Sequence, residues 1–336
     1  MARRESTRTS RTVPMMALLG VIAGCTASVP PPPRAVAPPA PRIGLTEVVT
    51  AVRQATVQGA LPADLTPSLA TTAEDLGFDN ETCEAGPKAV QVEPCVFGDR
   101  ASAIDVVLYG DSHAGMWLPA LSAIAERRDW RLQFFGKPAC PALAITFWNQ
   151  QEQRPFTECD RFREFVAGRV AAIKPELVIV TNESFSQKHG RAQLITSSEW
   201  RTGLTETLRT LRRFAGQVVV LGNTPVLDQS APECLAAHPD DIKACTTSRA
   251  DATARLWNDA EADAAEATGT GYISVLPWLC TAVCTPVIGN VTVYRNRFHL
   301  TATYARMLNG VLEEALLEHF PQDAVPALVS SVGDAG

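Results

Sequence analysis

The stretch DVVLYGDSHAGMW, residues 105–117, decides the fold. Its first half is an apolar run of β-branched and aromatic residues, which indicates a buried strand. The run ends at Gly110, and Asp111 and Ser112 follow it, just before a helical pattern near 114–128. A strand, a tight turn and a helix in this order are typical of a parallel sheet. Because such sheets bind ligands beyond the carboxyl ends of their strands, Ser112 is a candidate nucleophile.

The local sequence leaves a second role open for this serine. Serine and aspartate are both preferred helix N-caps, since their side-chain oxygens accept hydrogen bonds from the free N–H groups of the first turn. Ser112 is therefore either a nucleophile or a cap, and these residues by themselves favour the cap.

The rest of the chain repeats the alternation of short apolar and longer amphipathic runs that βα units produce. It predicts one α/β domain over residues 81–325, preceded by a weakly helical segment at 43–80 and followed by a disordered tail at 326–336. Two cysteine-bearing stretches, 138–159 and 226–247, have the composition of loops. Further strands are predicted to start at Arg131, Glu176, Gln217 and Gly271, and further helices at about 160–173, 199–215, 248–267 and 301–319.

The N-terminus has the plan of a secretory signal. Four arginines precede a short apolar run from Met15 to Ala23, and Ile22-Ala23-Gly24-Cys25 follows the pattern of a lipoprotein cleavage site. This predicts a signal peptide at 1–25, lipidation of Cys25 and anchoring to the extracytoplasmic face of a bacterial membrane. An ordinary secretory signal is the alternative. The proline-rich residues 26–42 are predicted to be an extended spacer.

The cysteines agree with export. Cys25 is one of nine, and an even number therefore remains. The eight fall as close neighbours around loops, which predicts four local disulfides in sequence order. A metal site is the competing interpretation for Cys280 and Cys284, but no second ligand pair follows at zinc-finger spacing. The predicted pairs are Cys83 with Cys95, Cys140 with Cys159, Cys234 with Cys245, and Cys280 with Cys284.

Composition excludes some classes of function. The net charge is −6, and no basic stripe with interleaved aromatic residues is present, so a nucleic-acid surface is not expected. The chain has no run of 18 or more apolar residues, so it is not expected to span a membrane.

A second stretch, YRNRFHLTATYARML, lies far downstream and contains His299, one of only five histidines. A serine hydroxyl needs a base to take its proton. His299 precedes the last predicted helix, and solvation of its ring at that helix start is the alternative to a catalytic role.

Together these stretches resemble the SGNH hydrolases, and more closely the SGNH domain that follows the membrane portion of many bacterial O-acyltransferases of envelope polysaccharides. The resemblance runs in order over residues 80–315. It implies a three-layer, flavodoxin-like SGNH fold in which His299 reaches back to Ser112. The matching pieces are GDSHAGMWLPAL, W-RLQFFGKPACP, GNTPVLDQSAPECL with Cys245 after it, and VLPWLCTAVCTPVIG to VYRNRFHLTATYA.

The resemblance implies roles for individual residues. Ser112 becomes the nucleophile and His299 its general base, while Asp111 orders the turn. The backbone N–H of Ser112 and the turn at Gly136 and Lys137 become oxyanion donors. Asn182, at the end of its strand, takes the place of the family's asparagine, although a strand-end asparagine is also a common turn residue.

One position departs from the family. Its members usually have an aspartate three residues before the histidine, whereas this chain has Asn296. Three interpretations follow: a Ser-His dyad in which the Asn296 carbonyl orients the ring, a carboxylate recruited from elsewhere, or a degenerate member that only binds.

The expected function is acyl transfer through an acyl-serine, without metal or other cofactor. An exported O-acetyltransferase of an envelope glycan is the main hypothesis, with a separate membrane acyltransferase as donor. The alternatives are an ester hydrolase of the same fold and a non-catalytic glycan-binding lipoprotein. Stacking on sugar by Trp117, Trp148 and Trp278 is a weaker expectation than burial in the core.

Overall fold

The computed structural model describes residues 43–57, 59–183, 193–253 and 255–320. Three predictions lie outside the described residues: the signal peptide at 1–25 with Cys25, the spacer at 26–42, and the tail at 326–336.

A six-stranded sheet forms the centre of the molecule. Five strands run parallel, and the edge strand β1 pairs antiparallel with β3. The order across the sheet is β1-β3-β2-β4-β5-β6. The strands are β1 (Cys95–Gly98), β2 (Asp105–Gly110), β3 (Arg131–Gly136), β4 (Leu177–Thr181), β5 (Gln217–Leu221) and β6 (Gly271–Ile273).

Eleven α-helices surround this sheet within the described residues. They are α1 (Leu45–Ala55), α2 (Asn80–Cys83), α3 (Ser112–Gly115), α4 (Leu118–Arg128), α5 (Thr157–Ile173), α6 (Ser197–Leu211), α7 (Ala231–Ala237), α8 (Arg249–Ala252), α9 (Arg255–Thr268), α10 (Ala302–Met307) and α11 (Asn309–Leu317).

The helices cover both faces of the sheet. Side chains alternate along a strand, so Val106 and Leu108 of β2 enter one core, and Val107 and Tyr109 enter the other. The first core also contains residues of α1, α4, α10 and α11, and the second contains residues of α5, α6 and α9. All six β2 residues are buried, as expected for a central parallel strand. The predicted three-layer α/β fold is confirmed.

Several elements differ from the sequence-based expectations. Three of the longer predicted helices are broken in two, at Met116–Trp117, after Ala252 and at Leu308. The stretch 138–159 contains a short ribbon, Trp148–Asn149 with Arg154–Pro155, and 226–247 contains α7. The edge strand β1 was not predicted, because only four residues form it and its apolar run is short.

The four predicted disulfides are confirmed, in sequence order. The metal-site alternative for Cys280 and Cys284 is therefore wrong, since these two residues are bonded to each other. The bridges brace the loops around the sheet: Cys83–Cys95 joins α2 to β1, and Cys140–Cys159 joins the loop after β3 to α5.

The end of β2 is closely packed against β4. A Cβ atom on Gly110 would lie 1.9 Å from the carbonyl oxygen of Thr181, so a side chain at this position would force the two strands apart. Glycine at this position therefore brings the loop that carries Asp111 and Ser112 against the end of β4.

Within the described part of the chain, no helix combines the length and apolar character that a membrane crossing requires.

Candidate active site

Asp111, and not Ser112, caps the helix after β2. Its side chain accepts a hydrogen bond from the backbone N–H of His113 at 2.9 Å, and it is the N-cap of α3. Its second oxygen accepts from the backbone N–H of Glu183 at 2.9 Å, which links the turn to the end of β4. Burial raises the pKa of the Asp111 carboxyl well above its usual range.

The hydroxyl of Ser112 is therefore free of the capping role, and it contacts His299. Its Oγ lies 2.9 Å from Nε2 of His299, although the two residues are 187 positions apart in the sequence. Ser112 is partly exposed, whereas His299 is only 9% exposed. The structure thus brings together the two stretches in the geometry that a nucleophile and its base require.

Asn296 holds the other side of the His299 ring. Its Nδ2 lies 3.0 Å from Nδ1 of His299. Its Oδ1 accepts from the backbone N–H groups of Phe298 at 3.0 Å and His299 at 2.9 Å. These two bonds assign the amide orientation, because turning the amide over would place its N–H groups against two backbone donors. The Asn296 carbonyl therefore does not orient the ring, in contrast to the dyad interpretation.

This orientation decides the tautomer of His299. Because Asn296 Nδ2 can only donate, Nδ1 of the ring must accept, and the proton of a neutral imidazole is then on Nε2. In this tautomer Nε2 donates to Ser112 Oγ and has no lone pair with which to accept the serine proton. An aspartate at position 296 would accept from Nδ1–H and leave Nε2 as the base.

The surroundings of His299 also oppose its protonation. Burial, assisted by the positive charge of Arg295, lowers the pKa of His299 to about 3. No described carboxylate is hydrogen-bonded to the ring. The interpretation in which a carboxylate is recruited from elsewhere gains no support from the described residues.

His113 is a site residue that the sequence analysis missed. It is 1% exposed, and neither ring nitrogen has a hydrogen-bond partner in the described structure. Its ring packs edge-on against His299 at a centroid distance of 5.1 Å and stacks on Phe298 at 5.8 Å. Burial lowers the pKa of His113 well below the usual range, so the ring is neutral. Its position directly after Ser112 was the available signal.

Asn182 lies at the carboxyl end of β4, where Thr181 pairs with Gly110. It is fully buried, and its Oδ1 accepts from the backbone N–H of Ala142 at 2.6 Å. Its Nδ2 has no partner among the described residues. An amide donor is thus available beside the turn that carries Asp111 and Ser112.

The turn at Gly136 and Lys137 has structural partners. The backbone N–H of Lys137 donates to the carbonyl of Gly110 at 3.2 Å, and the Gly136 carbonyl accepts from Ala85 at 2.8 Å. A Cβ atom on Gly136 would lie 2.1 Å from the ring of Phe134, so this ring requires the glycine. The Lys137 N–H is therefore occupied, and an oxyanion role for this turn stays a prediction that rests on Gly136.

Lys137 joins the turn to the segment after α2. Its side chain is fully buried, and Nζ donates to the carbonyls of Gly86 at 2.6 Å, Pro87 at 3.0 Å and Ala89 at 3.0 Å. Burial lowers its pKa to about 8. Three charge-assisted hydrogen bonds from one ammonium group hold this segment beside the candidate site.

Replacing Lys137 with methionine is expected to lower the free energy of unfolding by about 1–3 kcal/mol, because three hydrogen bonds to a charged donor are lost. Urea denaturation of the oxidised protein measures this. Lys243→Met is the control, since Lys243 is exposed and its expected change is within about 0.5 kcal/mol. Equal stability of the two variants would contradict the structural role of Lys137.

Two further charged residues next to predicted positions were missed. Glu84 follows Cys83 and lies over α3, since a Cβ atom on Gly115 would be 3.0 Å from its Oε1. Arg295 precedes Asn296, and its backbone N–H donates to the carbonyl of His299 at 2.9 Å. In the sequence, neither residue is marked by a motif, and each stands out only because it is adjacent to a predicted residue.

Two of the three tryptophans that were expected in the core are buried there. Trp117 and Trp278 are buried and pack edge to face at 6.2 Å, while Trp148 is partly exposed. Among the described residues, no group of three or more His, Cys, Asp or Glu side chains is arranged to hold a metal ion.

Comparisons with known proteins find solved structures that are similar to this chain. The periplasmic domain of a lipopolysaccharide acetyltransferase from Salmonella ser. Paratyphi A superposes with a TM-score of 0.56 at 13% identity, over 75% of this chain and 98% of that domain. A GDSL-like lipase from Bacteroides thetaiotaomicron gives a TM-score of 0.38 at 8% identity, over 74% and 95% of the two chains. A search of curated proteins found no match.

The family comparison covers most of the chain. A model described as the SGNH domain fused to AT3 domains matches residues 80–314, which include Ser112, Asn296 and His299. The protein therefore belongs to this SGNH domain family.

Proposed function

We propose that this protein is an exported O-acyltransferase that carries an acetyl group on Ser112 and passes it to a glycan of the cell envelope. The observation that carries the proposal is the 2.9 Å contact between Ser112 Oγ and His299 Nε2 at the carboxyl end of the sheet.

The reaction runs in two steps. Ser112 Oγ attacks the carbonyl carbon of the donor ester, the hydroxyl proton passes to His299 Nε2, and the leaving oxygen takes that proton as the acyl-serine forms. In the second step, a glycan hydroxyl attacks the acyl-serine carbonyl, its proton passes to His299, and Ser112 recovers a proton as it leaves. Atoms and charges balance without a cofactor.

The negative oxygen that develops on the acyl carbonyl needs hydrogen-bond donors. We assign this role to the backbone N–H of Ser112 and to Nδ2 of Asn182, whose lack of a partner supports the assignment. Gly136 stays a third candidate donor. Asp111 keeps the turn in place through its bonds to His113 and Glu183.

Asn296 makes this reaction slow. His299 must first move its proton from Nε2 to Nδ1 before Nε2 can accept, and Nδ1–H then faces the N–H of Asn296. In serine proteases, the same replacement of aspartate by asparagine lowers turnover by about 10⁴-fold through the wrong tautomer. The contact between Asn296 Nδ2 and His299 Nδ1 also favours a second candidate function, that of a glycan-binding protein without catalytic activity.

Several observations support the envelope setting. Four disulfides form and persist in oxidising compartments outside the cytoplasm. The lipopolysaccharide acetyltransferase domain of Salmonella has the same fold. The proposed lipid anchor at Cys25 would hold the domain at the membrane, beside a separate membrane acyltransferase that supplies the acetyl group.

The full-length protein is tested with p-nitrophenyl acetate as donor and a neutral galactose trimer as acceptor, with Ser112→Ala as the matched control. Transferase activity is expected to give acetylated trimer, detected by mass spectrometry, in wild type alone. Release of p-nitrophenol and acetate without acetylated trimer would show that the protein is an esterase and not a transferase. If wild type and Ser112→Ala are equally inert while folded and oxidised, the glycan-binding function takes their place.

A further inference from the structure

A cavity of about 500 Å³ lies beside the carboxyl end of β6, at the same edge of the sheet as Ser112. Its wall is formed by Tyr272 of β6, by Ser274 directly after this strand, and by residues of α8 and α9. In the sheet, β4 and β5 separate β6 from β2. Because neighbouring strands lie about 4.8 Å apart, the ends of β2 and β6 are separated by roughly 14 Å. A short oligosaccharide can bridge this distance.

The loop after β5 connects the cavity with the turn that carries His299. The backbone N–H of Asn223 donates to Oδ1 of Asn258, a residue of the cavity wall, at 3.0 Å. One residue later, the Thr224 hydroxyl donates to the carbonyl of Phe298, next to His299, at 3.3 Å. Both loop residues are buried. This loop therefore fixes the cavity wall and the His299 turn relative to each other.

Asn258 has an amide donor without a partner. Its side chain is 8% exposed, and the bond from Asn223 assigns its Oδ1, since a backbone N–H can only donate. Nδ2 then has no hydrogen-bond partner among the described residues. A buried donor without an acceptor is unfavourable, and such groups are usually satisfied by ordered water or another bound group. This donor therefore supports a polar occupant for the cavity that Asn258 lines.

Tyr272 supplies a second donor and an apolar surface. Its hydroxyl lies against the end of β5, where a Cβ atom on Gly222 would be 2.5 Å from the hydroxyl oxygen. Within the described part of the chain, this hydroxyl has no hydrogen-bond partner. Burial raises the pKa of Tyr272 above its usual range, so the hydroxyl keeps its proton. A phenol ring beside an amide suits a sugar, which has both an apolar ring face and hydroxyl groups.

The charges of the cavity are largely balanced. Arg255 and Asp259 form an ion pair with 3.7 Å between Nε and Oδ2, and both side chains are exposed. Arg249 adds one further exposed cation. Tyr272 and Asn258, the more buried polar residues of the wall, are neutral. Hydrogen bonding to neutral hydroxyl groups therefore suits this cavity better than the binding of a highly charged ligand.

We propose that this cavity binds one neutral hexose unit of the acceptor glycan, so that a neighbouring unit of the same glycan is presented to Ser112. Tyr272 and Asn258 donate hydrogen bonds to the bound sugar. The role in transfer rests on the proposed function, whereas binding of the sugar does not depend on turnover.

Isothermal titration calorimetry of the full-length protein with the neutral galactose trimer tests the site. The double variant Ala262→Leu/Ser274→Leu fills the cavity with apolar side chains and is expected to weaken binding at least about tenfold. Ala167→Leu/Glu206→Leu is the matched control, because these residues line a different cavity, between α5 and α6, and the affinity should equal that of the wild type. Tyr272→Phe removes one hydroxyl and should weaken binding about twofold to tenfold.

Thermal melting checks that each variant is folded, and Tyr272→Phe decides the outcome if the cavity-filling variant does not fold. The inference is overturned if the wild type does not bind the trimer. It is also overturned if the cavity-filling variant binds as tightly as the control, or if the affinity of Tyr272→Phe is unchanged.

Transfer from p-nitrophenyl acetate to the trimer separates this inference from the proposed function. The ratio of acetylated trimer to free acetate is expected to fall at least about tenfold in the cavity-filling variant, because the acceptor is no longer held near Ser112. If no variant turns over but the trimer still binds in the cavity, the proposed function fails and the binding site stands. If filling the cavity changes neither this ratio nor the affinity, the inference fails and the proposed function stands.

Discussion

Replacing Asn296 with aspartate is expected to raise the rate of ester hydrolysis by about 10²- to 10⁴-fold. The aspartate keeps the two bonds that Asn296 accepts from the backbone of Phe298 and His299. Its second oxygen accepts from Nδ1–H of His299, where the amide now donates. The ring then has its lone pair on Nε2, 2.9 Å from Ser112 Oγ, and the carboxylate stabilises the imidazolium that forms.

Hydrolysis of p-nitrophenyl acetate measures this change. Asn296→Ala is the control, because it removes the amide donor without supplying a charge and should give a much smaller gain. Nitrogen NMR of the histidine rings reports the tautomer directly: Nε2–H in the wild type and Nδ1–H in Asn296→Asp. Equal rates in wild type and Asn296→Asp, with the tautomer changed, would show that the site is not catalytic.

The pH dependence of kcat/KM provides a second test of the Asn296→Asp variant. In the wild type the pKa of His299 is about 3, so the ring stays neutral at all pH values well above this. A carboxylate beside the ring stabilises its charged form and therefore raises the pKa. The fall in kcat/KM toward acid is thus expected at a higher pH in Asn296→Asp than in the wild type.

Replacing Ser112 with alanine is expected to abolish turnover, with a loss of at least about 10³-fold, and to leave stability unchanged within about 0.5 kcal/mol. Activity depends on Oγ as the attacking atom. Stability does not, because the helix cap is Asp111 and, among the described residues, the Ser112 side chain hydrogen-bonds only to His299.

Asp111→Ala is the matched variant for the capping role. It leaves the buried N–H groups of His113 and Glu183 without their acceptor and should lower the free energy of unfolding by about 2–4 kcal/mol. Urea denaturation of both variants compares them. Destabilisation by Ser112→Ala as large as that by Asp111→Ala would show that Ser112 is a structural residue.

Local sequence patterns were sufficient to predict the strand that leads into the site. The run from Asp105 to Gly110 is a strand with the predicted bounds, because a central parallel strand must be apolar on both faces. The strand β1 and the helix breaks at Met116–Trp117, after Ala252 and at Leu308 were not predicted. Short edge strands and helix breaks depend on packing against distant elements, and this packing leaves little periodic signal.

For the site itself, residue types were readable but orientations were not. The sequence pointed to Ser112, His299 and Asn296 by their spacing and resemblance. It assigned the Asn296 carbonyl to the ring, whereas Oδ1 accepts from the backbone and Nδ2 faces the ring. An amide has a donor end and an acceptor end, and only the positions of surrounding groups decide which end faces which neighbour.

The sequence alone thus determined the α/β class, the position of the serine turn and the pairing of eight cysteines, because periodicity and close spacing are local properties of the chain. Only the tertiary structure decided that Asp111 is the cap, that Asn296 donates to His299, and that His113 packs against the His299 ring. Burial, tautomer and charge depend on groups from distant segments, and these meet only when the sheet and its disulfide-braced loops have formed.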